Sequence, residues 1–170
     1  MIKTKKQEEL INSFLSMAGD EIRPLYHEII NCLSELGYNP KKEKTNISFK
    51  HDLHNKQIAK MGIKKSKEIS LALRFSACKG YSQRFTDIVS AAIIKSPSKV
   101  PGCISDNCSY CGGEPNTHVY TYTFPDGACK SHCGAYALEI PNITADDLDE
   151  IKKLIKEEHE YLLKHEASRK

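Results

Sequence analysis

Five of the seven cysteines in this 170-residue chain lie within one stretch, at Cys103, Cys108, Cys111, Cys129 and Cys133. Two form a Cys-x-x-Cys pair followed by glycines, Cys108-Ser-Tyr-Cys111-Gly112-Gly113. A tight turn at that spacing presents two thiolates to one side, as a tetrahedral zinc ion requires. An all-sulfur ligand set closes the coordination sphere, so the expected role is structural. A redox pair would need the first thiol at a helix N-terminus. Here the pair runs into Gly-Gly-Glu-Pro-Asn, which cannot start a regular helix.

The segment Cys108–Gly112 resembles the knuckle of zinc ribbons and treble clefs, and Cys133-Gly134 resembles a second, shorter knuckle. The resemblance covers about ten residues and implies a bound zinc, not a whole-chain family. The remaining ligands follow from geometry. Pro125-Asp126-Gly127 predicts a hairpin turn. In a regular strand after it, Cys129 and Cys133 would stand about 13 Å apart, whereas sulfurs sharing a zinc ion lie within about 4 Å. Cys133 then falls on the side where the chain enters from Cys111, and Cys103 can fold back from a Pro/Gly-marked loop. The preferred set is Cys103, Cys108, Cys111 and Cys133. If residues 128–133 are looped, Cys129 replaces Cys103. His118 and His132 stand as outside candidates, and the zinc-binding segment is taken as residues 103–137. Cys32 and Cys78 stand apart and read as packing thiols.

A second group is cationic. If strands run as described below, Lys60 and Arg74 share the face away from the core. Together they could hold a phosphate or carboxylate of a small anionic ligand. The competing reading is that Arg74 pairs internally with an acid. His51 and His54, in His-Asp-Leu-His, invite a metal or acid–base role, but a turn location between strands favours simple exposure. No Gly-rich phosphate loop, nucleophile elbow or His-Glu-x-x-His occurs.

The elements that must position these groups can be read from periodicity. Leu10, Ile11, Phe14, Leu15 and Ala18 predict one helix, closed by Gly19. Ile22, Leu25, Ile29, Leu33 and Leu36 predict a second, with Pro24 in its first turn. Residues 38–44 read as a loop. Three alternating runs follow, around Ile47–Phe49, Ala59–Ile63 and Leu71–Ala77, which suggest an antiparallel meander. A third helix is predicted around Phe85–Ile93. After the first cysteines, His118–Phe124 and residues 128–140 predict a hairpin, with Tyr120, Tyr122 and Phe124 as a core stripe. Thr144 with Asp147 predicts a capped start for a last helix. The expected class is α+β, an antiparallel sheet packed by helices in a single domain over 1–170, with a zinc-fastened loop and hairpin before the C-terminal helix.

Composition limits the partners. Apolar residues are 39% and charged residues 28%, ordinary for a globular chain. The N-terminus carries no hydrophobic leader and no apolar run spans a membrane, so a cytoplasmic location is expected, where clustered cysteines favour metal over disulfides. The net charge of +3 is uneven: residues 1–100 hold 18 Lys and Arg against 10 acids, and the remainder 7 against 12. The expectation is a zinc-stabilised binding or regulatory protein. The alternatives are an enzyme acting on a small anionic substrate through Lys60 and Arg74, and a nucleic-acid-associated module using the basic N-terminal half.

Overall fold

The computed structural model describes residues 4–95 and 118–167. Among them the class is α+β. Two helices open the chain, α1 (Lys5–Ser16) and α2 (Arg23–Glu35). Thr4 and Gln7 close the start of α1 as a capping box: each side chain accepts from the other's backbone N–H, at 3.3 and 2.9 Å. Pro24 sits in the first turn of α2, where a missing N–H costs no bond.

Four strands follow: β1 (Tyr38–Glu43), β2 (Asn46–His51), β3 (Gln57–Ile63) and β4 (Ile69–Leu73). Then come α3 (Gln83–Lys95), β5 (Val119–Thr123), β6 (Cys129–Cys133), β7 (Leu138–Ile140), a 3-10 turn (Ala145–Asp147) and α4 (Leu148–Ala167). The main sheet runs β1-β2-β3-β4-β7, antiparallel throughout, and β5-β6 forms a separate hairpin. Alternation in β2, β3, β4 and β7 sends Ile47, Phe49, Met61, Leu71, Leu73 and Ile140 into one apolar cluster with Phe14, Ile29 and Leu33 of the first helices and Ile151, Leu154 and Ile155 of α4. The opposite face is polar: Lys60 meets Glu43 at 3.2 Å there.

Two sequence expectations need correction. Residues 38–44, expected as a loop, contain β1. Asn-Pro-Lys-Lys-Glu has little strand propensity, but β1 is an edge strand, where Pro40 and the lysines are tolerated. The single return strand expected over 128–140 is broken in two. β6 ends at Cys133, the chain turns through Gly134, and Leu138–Ile140 joins β4 instead. The turn is held by side chains from elsewhere. Ser76 donates to the Gly134 carbonyl at 2.9 Å. The Tyr120 hydroxyl accepts from the Phe75 N–H at 3.1 Å and donates to the Tyr136 carbonyl at 2.9 Å. Any side chain at 134 would meet the His118 carbonyl at 1.9 Å, so only glycine fits. Of the expected aromatic stripe, Tyr120 is core, while Tyr122 and Phe124 pack against it half-buried.

The last helix is fixed at its start and at its middle. Asp147 accepts from the Thr144 N–H at 2.8 Å and pairs with Arg84 of α3 at 2.6 Å. Further along, Glu158 is fully buried against Arg74, at 2.6 Å, and accepts from the Ala77 N–H at 2.8 Å. Burial pushes the Glu158 carboxyl upward; the Arg74 guanidinium and the Ala77 N–H pull it back. Removing one partner leaves an uncompensated buried charge. Glu158→Ala is therefore expected to cost about 3–5 kcal/mol in urea unfolding. The double variant Arg74→Met/Glu158→Leu should cost less than either single truncation.

Candidate metal centre

A cluster of three histidines lies at the end of the sheet, assembled from a strand, a turn and a helix. His51 is the last residue of β2. It continues the inward alternation of Ile47 and Phe49, so its ring lies on the core side. Tyr38, the first residue of β1, is its cross-strand partner. The β2–β3 turn then brings His54 back. The His51 N–H donates to the Lys56 carbonyl at 3.1 Å, and Asn55 takes a left-handed φ of 54° to close the turn. α4 supplies His159 beside the buried Glu158. All three imidazoles are enclosed, at 6%, 4% and 9% exposure for His51, His54 and His159.

Gly37 lets this packing happen. It has φ of +88°, and a Cβ there would stand 2.8 Å from His51 Nε2. The Tyr38 ring is edge-on to all three histidines, with centroids 5.0, 5.7 and 5.5 Å away. Its hydroxyl lies 3.4 Å from His54 Nε2 and 3.3 Å from His159 Nδ1. His51 and His54 stack with centroids 4.3 Å apart and planes 8° from parallel. One nitrogen from each histidine lies within 4.8 Å of the other two, so the group can hold a metal ion.

The surroundings disfavour charge on two of the three rings. Desolvation, then repulsion from His51 and His159, with Arg74 and Lys56 adding to it, lowers the His54 pKa from 6.5 to about 4. His159 is also lowered, by desolvation and His51, against the opposing pull of Glu160. Burial first and Glu158 second push the Tyr38 hydroxyl well above the usual phenol range. At neutral pH His54 and His159 therefore offer imidazole lone pairs, and Tyr38 a protonated phenol.

The sequence placed His51 and His54 at an exposed turn. The structure buries both and adds His159, which sequence reasoning missed. Signals for two of the three were present: Ile47-x-Phe49-x-His51 extends a two-residue alternation, and His159 falls on the Ile151–Ile155–Leu162 stripe of α4.

Of the cysteines, Cys103, Cys108 and Cys111 lie outside the described residues. Cys129 and Cys133 are the two ends of β6. Cys133 pairs with Val119 at the hairpin base and is buried; Cys129 pairs with Thr123 beside the turn and is exposed. Four residue steps along an extended strand put them about 13 Å apart. His118 is buried, stacked on Tyr161 of α4 at 5.3 Å. His132 lies edge-on to Tyr136 at 5.5 Å. Cys32 and Cys78 are buried, with thiol pKa values raised chiefly by desolvation, as packing thiols should be.

The two cations expected to share an anion do not meet. Lys60 is on the open face, held by Glu43. Arg74 is buried at 5% exposure and bonded to Glu158, the internal pairing that the sequence reading set against its own anion site. With each cation already facing a carboxylate, this arrangement offers an anion no free pair of donors.

No protein-family model, no curated protein and no solved structure matches this chain.

The downward shifts at His54 and His159 make stability depend on pH. Between the ordinary histidine value of 6.5 and the His54 value of about 4, the unfolded chain binds protons that the folded chain refuses. The stabilisation is complete above the unfolded value and is lost as pH falls through that window, by at most about 1.4 kcal/mol per pH unit for each proton. Urea midpoints should fall between about pH 7 and about pH 5, and His54→Gln should flatten that slope.

Proposed function

We propose that this chain is a zinc-stabilised binding or regulatory protein whose zinc is held by Cys103, Cys108, Cys111 and Cys133. The register of the β5–β6 hairpin carries the reading. It puts Cys133 at the base, one residue pair from where the chain returns at His118, and holds Cys129 too far away to share an ion with it. Zinc there would fasten the hairpin, whose other ties to the body include the Tyr120 and Ser76 bonds. A binding role is favoured over catalysis because Arg74 and Glu158 are paired internally, and burial shifts His54 and His159 toward their neutral forms. The enzyme alternative depended on Lys60 and Arg74 acting together, and each has its own carboxylate.

The freshly purified reduced protein should contain about one thiolate-bound zinc per chain. Cys129→Ser should keep it. Cys133→Ser should lose most of it and unfold at lower temperature, since zinc binding free energy is part of folding free energy at such sites. If Cys129→Ser loses the metal while Cys103→Ser retains it, the ligand set is the other one.

One observation favours nucleic-acid association as a second reading. The antiparallel order puts the β1–β2 and β3–β4 turns at the same end of the sheet. Lys41, Lys42 and Lys44 therefore share that end with Lys64, Lys65 and Lys67, all exposed. Six cations at one end can track a phosphate backbone. Fluorescence anisotropy with short oligonucleotides should then show binding that weakens steeply with salt and falls in Lys44→Glu/Lys65→Glu. Salt-insensitive or absent binding would dispose of it.

A further inference from the structure

We propose that His51, His54 and His159 form a site for one divalent transition-metal ion of the zinc, cobalt and nickel class, separate from the cysteines, and that loading it remakes the β2–β3 turn. The donor set defines the class. The cluster offers imidazole nitrogens and a phenol, with no Asp or Glu among its members. Glu158, next to His159 in sequence, is taken by Arg74 and the Ala77 N–H. Imidazole without carboxylate suits borderline ions and gives magnesium or calcium nothing hard to bind. Three histidines are also a full protein set for a zinc ion that keeps its fourth position open.

The distances are within reach of small ring movements. Nitrogens bound to one tetrahedral zinc stand about 3.3 Å apart, given bonds of about 2.0 Å. The cluster's nitrogens already lie within 4.8 Å of one another. The Tyr38 hydroxyl occupies the space between His54 and His159, where it contacts both. An ion drawing the rings together must take that hydroxyl as a neighbour.

Two backbone hydrogen bonds would have to yield to a bound ion. The Leu53 N–H donates to His51 Nδ1 at 3.1 Å, and the Lys56 N–H donates to His54 Nδ1 at 3.2 Å. Each Nδ1 therefore presents its lone pair, and each neutral ring carries its hydrogen on Nε2. Ligation through Nε2 would move that hydrogen to Nδ1, pointing it at a backbone N–H. Ligation through Nδ1 would take the lone pair that the N–H now uses. Either route breaks the contacts with Leu53 and Lys56 unless the ring becomes an anion. The near-parallel stacking of His51 and His54 demands the same, because lone pairs in parallel planes do not converge on one ion. The turn that must move carries Leu53, a leucine 73% exposed. The coupling thus reaches a surface that a partner could read.

Cobalt(II) titrated into the purified full-length protein tests this, followed by absorption and by exchange of the Leu53 and Lys56 amides. The expected result is about one equivalent bound without thiolate-to-cobalt charge-transfer absorption, and faster exchange at both amides on loading. His54→Gln and His159→Gln, checked for folding by circular dichroism, should each weaken binding by more than about tenfold. Absence of binding, binding accompanied by thiolate charge transfer, or binding unchanged in both variants would overturn the site. Binding with unchanged amide exchange would overturn its coupling to the turn. Should the variants fail to fold, the His159 ring signals in the wild type decide: unbroadened at saturating cobalt, they rule the site out.

Discussion

The pairing of Arg74 with Glu158 is the contact on which the rest of the molecule turns. It joins the chain just beyond β4 to the middle of α4 across 84 residues, in surroundings that exclude water. A buried ion pair gives little net stability against an apolar substitute, but it tolerates only one geometry. Glu158 must reach Arg74, Ser76 and the Ala77 N–H at once. That fixes the rotation and height of α4. His159, next in sequence, is thereby aimed at Tyr38 and the β2–β3 turn. The pair thereby positions the residue beside it.

The same logic explains the C-terminal third. Tyr120 is buried with a hydroxyl that must be satisfied, and it is satisfied by two different segments, Phe75 and Tyr136. Ser76 holds the turn at Gly134. Residues 74–77 therefore serve three clients: the last helix through Arg74, the hairpin through Phe75, and the β6–β7 turn through Ser76. A short stretch after a central strand organises elements that lie more than 40 residues away in sequence.

The fold class was legible because the apolar stripes were clean. Ile29 and Leu33 in α2, Leu71 and Leu73 in β4, and Ile151 and Ile155 in α4 all fall where periodicity puts them. The hairpin turn and the capping residue Thr144 were legible from local turn chemistry. β1 was not, because an edge strand is specified by its partner more than by its own residues. The break between β6 and β7 was hidden for a similar reason: its cause is a carbonyl and two hydroxyls from remote positions. The histidine cluster was half legible. Alternation and helical spacing each mark a histidine as buried, but nothing local says that the two buried positions meet.

The long reach of these contacts also sets when the molecule can close. Tyr38 and His159 are 121 residues apart, and β4 pairs with β7 across more than 60. Loop-closure entropy for such pairs must be met before their contacts reward it, which slows folding. During synthesis, the sheet from β1 to β4 can form its hairpins early. Until α4 emerges, however, Arg74 has no carboxylate and the histidine rings have no roof. Until then the sheet face that α1 and α2 already cover with Phe14, Ile29 and Leu33 still lacks the cover that Ile151, Leu154 and Ile155 supply.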